Sequence, residues 1–316
     1  MEIVRDLDQQ PPATAGHALT IGFYDGVHLG HQAVIRATQD AAAARGIRTG
    51  VITFDPHPAT VLRPESAPAL ITDLEQKLDL LAVCGVDTTV VVPFDVARGQ
   101  ETAEQFVAQV IVGRMNANAV VVGADFHFGK DRTGNVDLLT KLGEEHGFDV
   151  EGIQLLSQAN TSVESVSSTA IRRALADGEV TAAARMLGRN HEIRGPVIEG
   201  DQRGRTIGFP TANVAVGKDM AIPADAVYAA WYVRPDGETW PAAVNIGKRP
   251  TFYQNAEHSL LEAHLIGFSG DLYHESARVQ LVEKLRPEQK FNGIDELQAQ
   301  LQRDIAHASR VLDATR

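Results

Sequence analysis

Cys84 is the only thiol in this 316-residue chain. One thiol closes no internal disulfide and builds no cysteine-rich metal site. Its place in the apolar run Leu80-Leu81-Ala82-Val83-Cys84 reads as a buried, inert side chain. Basic runs are missing too. The chain carries 29 Lys and Arg against 41 Asp and Glu, a formal charge of −12. That balance argues against sequence-independent nucleic-acid binding, which rests on phosphate neutralisation. It leaves room for local cations to hold a small anion such as a nucleotide. No apolar stretch is long enough to span a bilayer, and the opening MEIVRDLDQQPP lacks a basic-then-apolar signal pattern. No internal repeat or low-complexity segment stands out. The expectation is a cytoplasmic, reducing setting, with small-molecule substrates, no nucleic acid and no membrane. A monomer or weak homo-oligomer is expected.

What is present is ordinary core material, 44% hydrophobic, over a length that suits two domains. The first half alternates between the two kinds of element. Strands are expected at 18–22, 49–54, 88–92, 119–122 and 149–155, and helices at 31–45, 73–82, 103–112, 136–146, 169–176 and 180–187. Strands buried on both faces, joined by helices, argue for a Rossmann-like parallel sheet. Ligands of such sheets sit outside the carboxyl ends of the strands. The segments 22–31, 55–58 and 123–129 each follow a strand, so they are expected to face one crevice. Beyond Leu187 the pieces become short and β-like, at 191–198, 229–233, 242–246, 260–266 and 278–285, with turn residues between them. A small antiparallel barrel or sandwich is expected, closed by a terminal helix over 294–312 with Leu297, Leu301, Ile305 and Ala308 at helical spacing. The expected division is 1–186 and 187–316.

The stretch GFYDGVHLGH, residues 22–31, follows the first of those strands. Gly22, Gly26 and Gly30 let the backbone turn and approach a ligand. The following helix offers unpaired N–H groups and a positive dipole end, a ready phosphate site. His28 and His31, three apart, can share one side of the first turn and donate hydrogen bonds to phosphate oxygens. Nearby phosphate charge would favour the protonated form. A turn with surface histidines is the plain alternative. A zinc site, with His57 as third ligand, would not explain the glycines. A second cluster, RGRTIGFPTAN over 203–213, joins cations, glycines, Thr211 and Asn213. Neutral oxygen ligands beside cations suit a metal-bound nucleotide phosphate. A plain surface loop fits the spacing equally well, since no GxxxxGK[ST] pattern is present.

These stretches resemble a known family. His28-Leu29-Gly30-His31 is similar to the HxGH signature of nucleotidyltransferases, and the longer run is similar to the GNFDGVHLGH of bacterial bifunctional riboflavin kinase/FAD synthetases. Phe23 and Tyr24 replace Asn and Phe of that pattern. TFDPHP (53–58), VVGADFHFGKDRTG (121–134, with His127 for Arg) and SVSSTAIRRAL (165–175) resemble further segments of the same half. Gly200 to Asn213 matches the riboflavin kinase signature GDxRGRxxGFPTAN, and AVNIGKRPTF, LEAHLIGFSGDLY and VEKLRPEQKF resemble its later pieces. Ala226 and His274 stand where that family has glycine.

The resemblance runs from about residue 15 to about residue 310. It implies two Mg²⁺-dependent reactions, riboflavin phosphorylation by ATP to FMN and adenylyl transfer from ATP to FMN, giving FAD and pyrophosphate. By the same likeness, His28, His31 and Glu262 are catalytic, Glu262 as base on the riboflavin hydroxyl, and Thr211 and Asn213 hold the metal. ATP and its phosphates meet Gly22, Asp25, Gly26, Gly30, Asp125, Ser168, Thr169 and Arg172 in one half, and Gly200, Arg205, Gly208 and Pro210 in the other. Flavin contacts are implied at Phe23, Asp55, Pro56, Asn245 and Arg249. The alternatives left open are a nucleotidyltransferase for another acceptor, a riboflavin kinase with weak or lost adenylyltransferase activity, and an inactive flavin-binding regulator.

Overall fold

Continuous apolar runs organise the first half. In the computed structural model, which describes residues 1–5, 12–154, 166–200, 203–247 and 258–315, β2 (His17–Ile21) is buried at every position. β3 (Arg48–Asp55) and β4 (Thr88–Pro93) are buried through their centres. Strands that expose neither face to water need helices on both sides. α1 (Leu29–Arg45) and α3 (Leu74–Val83) cover one side, where Ile35 and Leu81 pack with Val51. On the other side a helix over 103–112, α4 (Ala103–Phe106) running on as a π-turn through Val112, packs with α5 (Val136–His146). β1 (Glu2–Val4), β5 (Ala117–Gly123) and β6 (Asp149–Ile153) complete a six-stranded sheet in the order β1-β4-β3-β2-β5-β6. Every pairing in it is parallel. The chain reverses direction across the sheet between β2 and β5, so the mouth of α1 lies at the switch point where such sheets bind ligands.

The second half rolls into a closed barrel. β7 (His191–Ile198), β8 (Ala212–Gly217), β9 (Ala226–Val233), β10 (Thr239–Ile246), β11 (His258–Leu265) and β12 (Ser276–Pro287) close in the order β10-β11-β8-β7-β12-β9. All pairings are antiparallel. Val214, Tyr228, Val244 and Leu261 fill the interior. On the outer wall Ala229 and Ala243 pack against Ala308 and Leu312 of α9 (Ile294–Asp313).

The chain divides into two compact units, Met1–Pro68 with Thr72–Val166, and Ala69–Ile71 with Ser167–Arg316. α6 (Ser168–Ala176) and α7 (Val180–Leu187) belong to the unit that holds the barrel. Among the described residues, two strands and two α-helices lie outside the sequence expectation: β1, the short α2 (Pro58–Leu62), the single-turn α8 (Arg203–Thr206), and β8, whose first residues belong to the stretch 203–213.

Candidate active sites

In the first unit, α1 begins two residues earlier than its periodicity suggests. His28 is its N-cap, and His28 Nδ1 accepts the His31 N–H at 3.2 Å. The histidines therefore lie on one side of the helix start, His28 as the cap and His31 within the first turn. They stack, with ring centroids 3.6 Å apart and planes 13° from parallel. A capping Nδ1 must present a lone pair, so the ring proton of neutral His28 resides on Nε2, which is then a donor. Burial, helped by the neighbouring His28 and Lys77, holds His31 well below the usual imidazole range. Burial thus works against a charged His31, the form that phosphate would favour. His31 Nδ1 is buried without a hydrogen-bond partner.

Of the three glycines only Gly26 needs its freedom, with φ +81°; Gly30 lies within the first turn of α1. The loop also holds Tyr24 at φ +57° and Val27 at φ +38°. Left-handed backbone at a β-branched residue persists only where its surroundings enforce it. Several bonds do so here. Asp25 is buried and accepts the Thr72 N–H at 3.0 Å, while Thr72 Oγ1 accepts the Gly26 N–H at 3.0 Å. Tyr24 Oη and Thr20 Oγ1 are 2.7 Å apart. The Phe23 carbonyl accepts from Thr53 Oγ1 at 3.0 Å and from Lys77 Nζ at 3.3 Å.

The loops leaving β2, β3, β4 and β5 meet in one cleft of about 870 Å³, as strand order requires. Gly22, Phe23, His57, Phe94, Phe126 and Arg132 are among its walls. His57 Nδ1 caps α2, and its ring meets Phe23 edge-on at 4.0 Å. Asp55 and Pro56 are exposed beside this cleft's chain segments without lining it, and Asp125 is exposed. Among the described residues, no three His, Cys, Asp or Glu side chains gather to hold a metal ion, so the zinc reading has no third ligand. Ser168, Thr169 and Arg172 open α6; Ser167 is its cap, and Arg172 Nε donates to the Ala69 carbonyl at 2.6 Å.

In the second unit, register assembles the site. Asn213 of β8 pairs directly with Glu262 of β11, Glu262 with Asn245 of β10, Asn245 with Val227 of β9, and Val227 with Arg286 of β12. Cross-strand partners share one face, and this row lies on the barrel's outer wall. Leu261, Ala263 and Leu265 point into the core, yet Glu262 is not merely solvent-facing. It lines a cavity of about 320 Å³ with Asn245, Phe209 and His264, walled by Leu301 and Asp304 of α9. A second cavity of about 550 Å³ holds Arg205, Pro210, Thr211 and Asn213. Gly204 and Thr211 border both. The Pro210 carbonyl accepts from His264 Nδ1 at 2.8 Å, fixing the loop before β8. Gly208 takes φ +87° in that loop. Gly200 lies so near Asn213 that a Cβ would meet the amide carbon at 2.8 Å. Arg249 falls outside the described residues.

Two groups went unnoticed in the sequence, Lys77 and the Arg286–Asp304 pair, in which Arg286 Nη2 donates to Asp304 Oδ2 at 2.7 Å. Both were detectable as charges on an apolar helical stripe. Lys77 falls between Leu74, Leu78 and Leu81, and Asp304 between Leu301, Ile305 and Ala308.

Comparison with known proteins fits this geometry. The FAD synthetase family model matches residues 10–170 and the riboflavin kinase model residues 187–312. The bifunctional riboflavin kinase/FMN adenylyltransferase of Escherichia coli K12 is 38% identical, over 99% of this chain and 97% of its own. That of Bacillus subtilis is 36% identical, over 94% and 92%. A crystal structure described as a macrolide-efflux protein from Streptococcus pneumoniae superposes with a TM-score of 0.85 at 29% identity, covering 96% of this chain and 97% of that one. Efflux is that protein's description; among the described residues here, no helix is long and apolar enough to cross a membrane. With both family models in order and relatives matched end to end, the chain belongs to the bifunctional riboflavin kinase/FMN adenylyltransferases.

Proposed function

We propose that the chain performs the family's two reactions at two separate sites, with a functional boundary near residue 187. FMN is made at the barrel and FAD at the mouth of α1. The carrying observation is the register that sets Glu262, on the wall of the smaller cavity, between Asn245 of the same cavity and Asn213 of the larger one. Riboflavin suits the smaller cavity, beside Phe209 and the apolar wall of α9. ATP suits the larger, where Arg205 supplies positive charge. A carboxylate in the smaller cavity, paired across the strands with Asn213 of the larger, can take the proton of the attacking 5′-hydroxyl while the γ-phosphoryl moves across and ADP leaves, and the rest is positioning.

Mg²⁺ fits the donor set there. Thr211 offers a hydroxyl and Asn213 an amide oxygen, neutral oxygens of the kind that leave a small hard cation its phosphate and water ligands. Bound there, it would neutralise developing phosphate charge. Gly200, Gly208 and Pro210 shape the loop.

For adenylyl transfer, the FMN phosphate attacks the α-phosphorus of ATP directly. His28 through Nε2–H, and His31 beside it, donate to the phosphates, and the α1 N-terminus adds its dipole. Gly22, Gly26, Gly30 and Asp125 serve the nucleotide in this reading. Asp25 serves it by holding the loop through Thr72. Phe23 lines the flavin's side of the cleft, flanked by Asp55 and Pro56.

The test is incubation with riboflavin, ATP and Mg²⁺, resolving FMN and FAD by chromatography. His28→Ala should abolish FAD formation and spare FMN formation. Glu262→Ala should do the reverse when FMN is supplied. Loss of both activities in either variant contradicts separate sites.

A further inference from the structure

Lys77 is a cation where the fold asks for an apolar side chain. It is 2% exposed on α3. Its ammonium donates to the carbonyl of Phe23 at 3.3 Å and of Phe54 at 3.2 Å, and lies 4.1 Å from the centre of the Phe23 ring. Burying a charge is costly unless its bonds are replaced, and burial does lower its proton affinity, to a pKa of about 8, against the pull of Asp55 and Asp25. A methionine would fill the same space without that cost. What an ammonium adds is a tie between two chain segments, the one leaving β2 and the end of β3. The β2 segment contains Tyr24 and Val27 in left-handed backbone and ends at His28. Lys77 does not line the cleft; Phe23 does.

We propose that Lys77 is a positioning residue for adenylyl transfer. By bonding the Phe23 and Phe54 carbonyls it sets the loop that carries His28 against the end of β3, without touching ATP or FMN. This rests on the reading that adenylyl transfer occurs at that loop. Strained backbone stays in place only when several contacts over-determine it, and near-attack geometry is sensitive to small displacements. The tie should therefore affect turnover more than substrate binding.

The experiment uses the full chain and four variants, Lys77→Met, Lys77→Arg, Thr53→Val and His28→Ala. FAD formation from FMN and ATP is resolved into kcat and KM, and riboflavin phosphorylation is the internal control. Lys77→Met should lower kcat for FAD formation about tenfold or more, change both KM values by less than about threefold, and leave phosphorylation intact. Lys77→Arg should recover part of the loss. Side-chain volume alone would be satisfied by methionine, so an unchanged kcat in Lys77→Met overturns the proposal. Should that variant lose the fold of its first unit by circular dichroism, Thr53→Val decides. It removes the other donor to the same carbonyl and keeps the ammonium. A fall in its kcat supports the tie, and no change overturns it. If His28→Ala still makes FAD at the normal rate, the site reading itself fails. If His28→Ala is dead and Lys77→Met normal, only the inference about Lys77 fails.

Discussion

Gly200 is where a single added atom bears most on the proposed kinase site. A methyl there would press on the Asn213 amide, 2.8 Å from its carbon. Gly200→Ala should push that amide out of place and lower riboflavin phosphorylation about tenfold to a hundredfold, with FAD formation from supplied FMN unchanged. Steady-state kinetics of both reactions checks this; unaltered phosphorylation would deny Asn213 its proposed part. The chemistry of such residues is legible in sequence because it is local. GFPTAN names its hydroxyl and amide, and HLGH its imidazoles. Their protonation is not legible. That His28 caps α1 through Nδ1, and that His31 is kept neutral by burial, depend on packing that residue spacing does not encode. The same holds for Asp25, a phosphate-side residue by motif but tied inward to Thr72 by its bonds.

Among the elements, α9 is held to the barrel partly by charge. Asp304 accepts from Arg286 Nε at 2.9 Å and Nη2 at 2.7 Å, and from Gln300 Nε2 at 2.8 Å. Removing one member of a buried pair strands the other. Asp304→Ala should therefore cost roughly 3 kcal/mol in urea denaturation of the barrel unit, and raise KM for riboflavin because the helix forms one cavity wall. Equal stability would mean that the apolar contacts of Ala308 and Leu312 suffice. Most elements were visible as periodicity, within a residue or two. β8 was not, since Ala212–Gly217 follows a glycine-rich signature that reads as loop, and only its barrel neighbours make it a strand. β1 is three residues long and owes its existence to pairing with β4. Lys77 and Asp304 are the instructive omissions. A charge on an apolar stripe is a local contradiction, and here each one marks a tie between elements.

For the whole molecule, two sites with no shared residue predict complementation. His28→Ala and Glu262→Ala are each expected to fail at making FAD from riboflavin. An equimolar mixture should succeed, since FMN released by the first can reach the second. Chromatography of the mixture checks it; absence of FAD would require transfer within one chain. The barrel adds a feature of another kind. Its proposed reacting groups stand on the outside wall, beneath α9, while the filling of Val214, Tyr228, Val244 and Leu261 lies on the opposite face of the same strands. Exchange of side chains along the outer row can therefore retune which alcohol is accepted, and how tightly, without unsettling the scaffold that supports it.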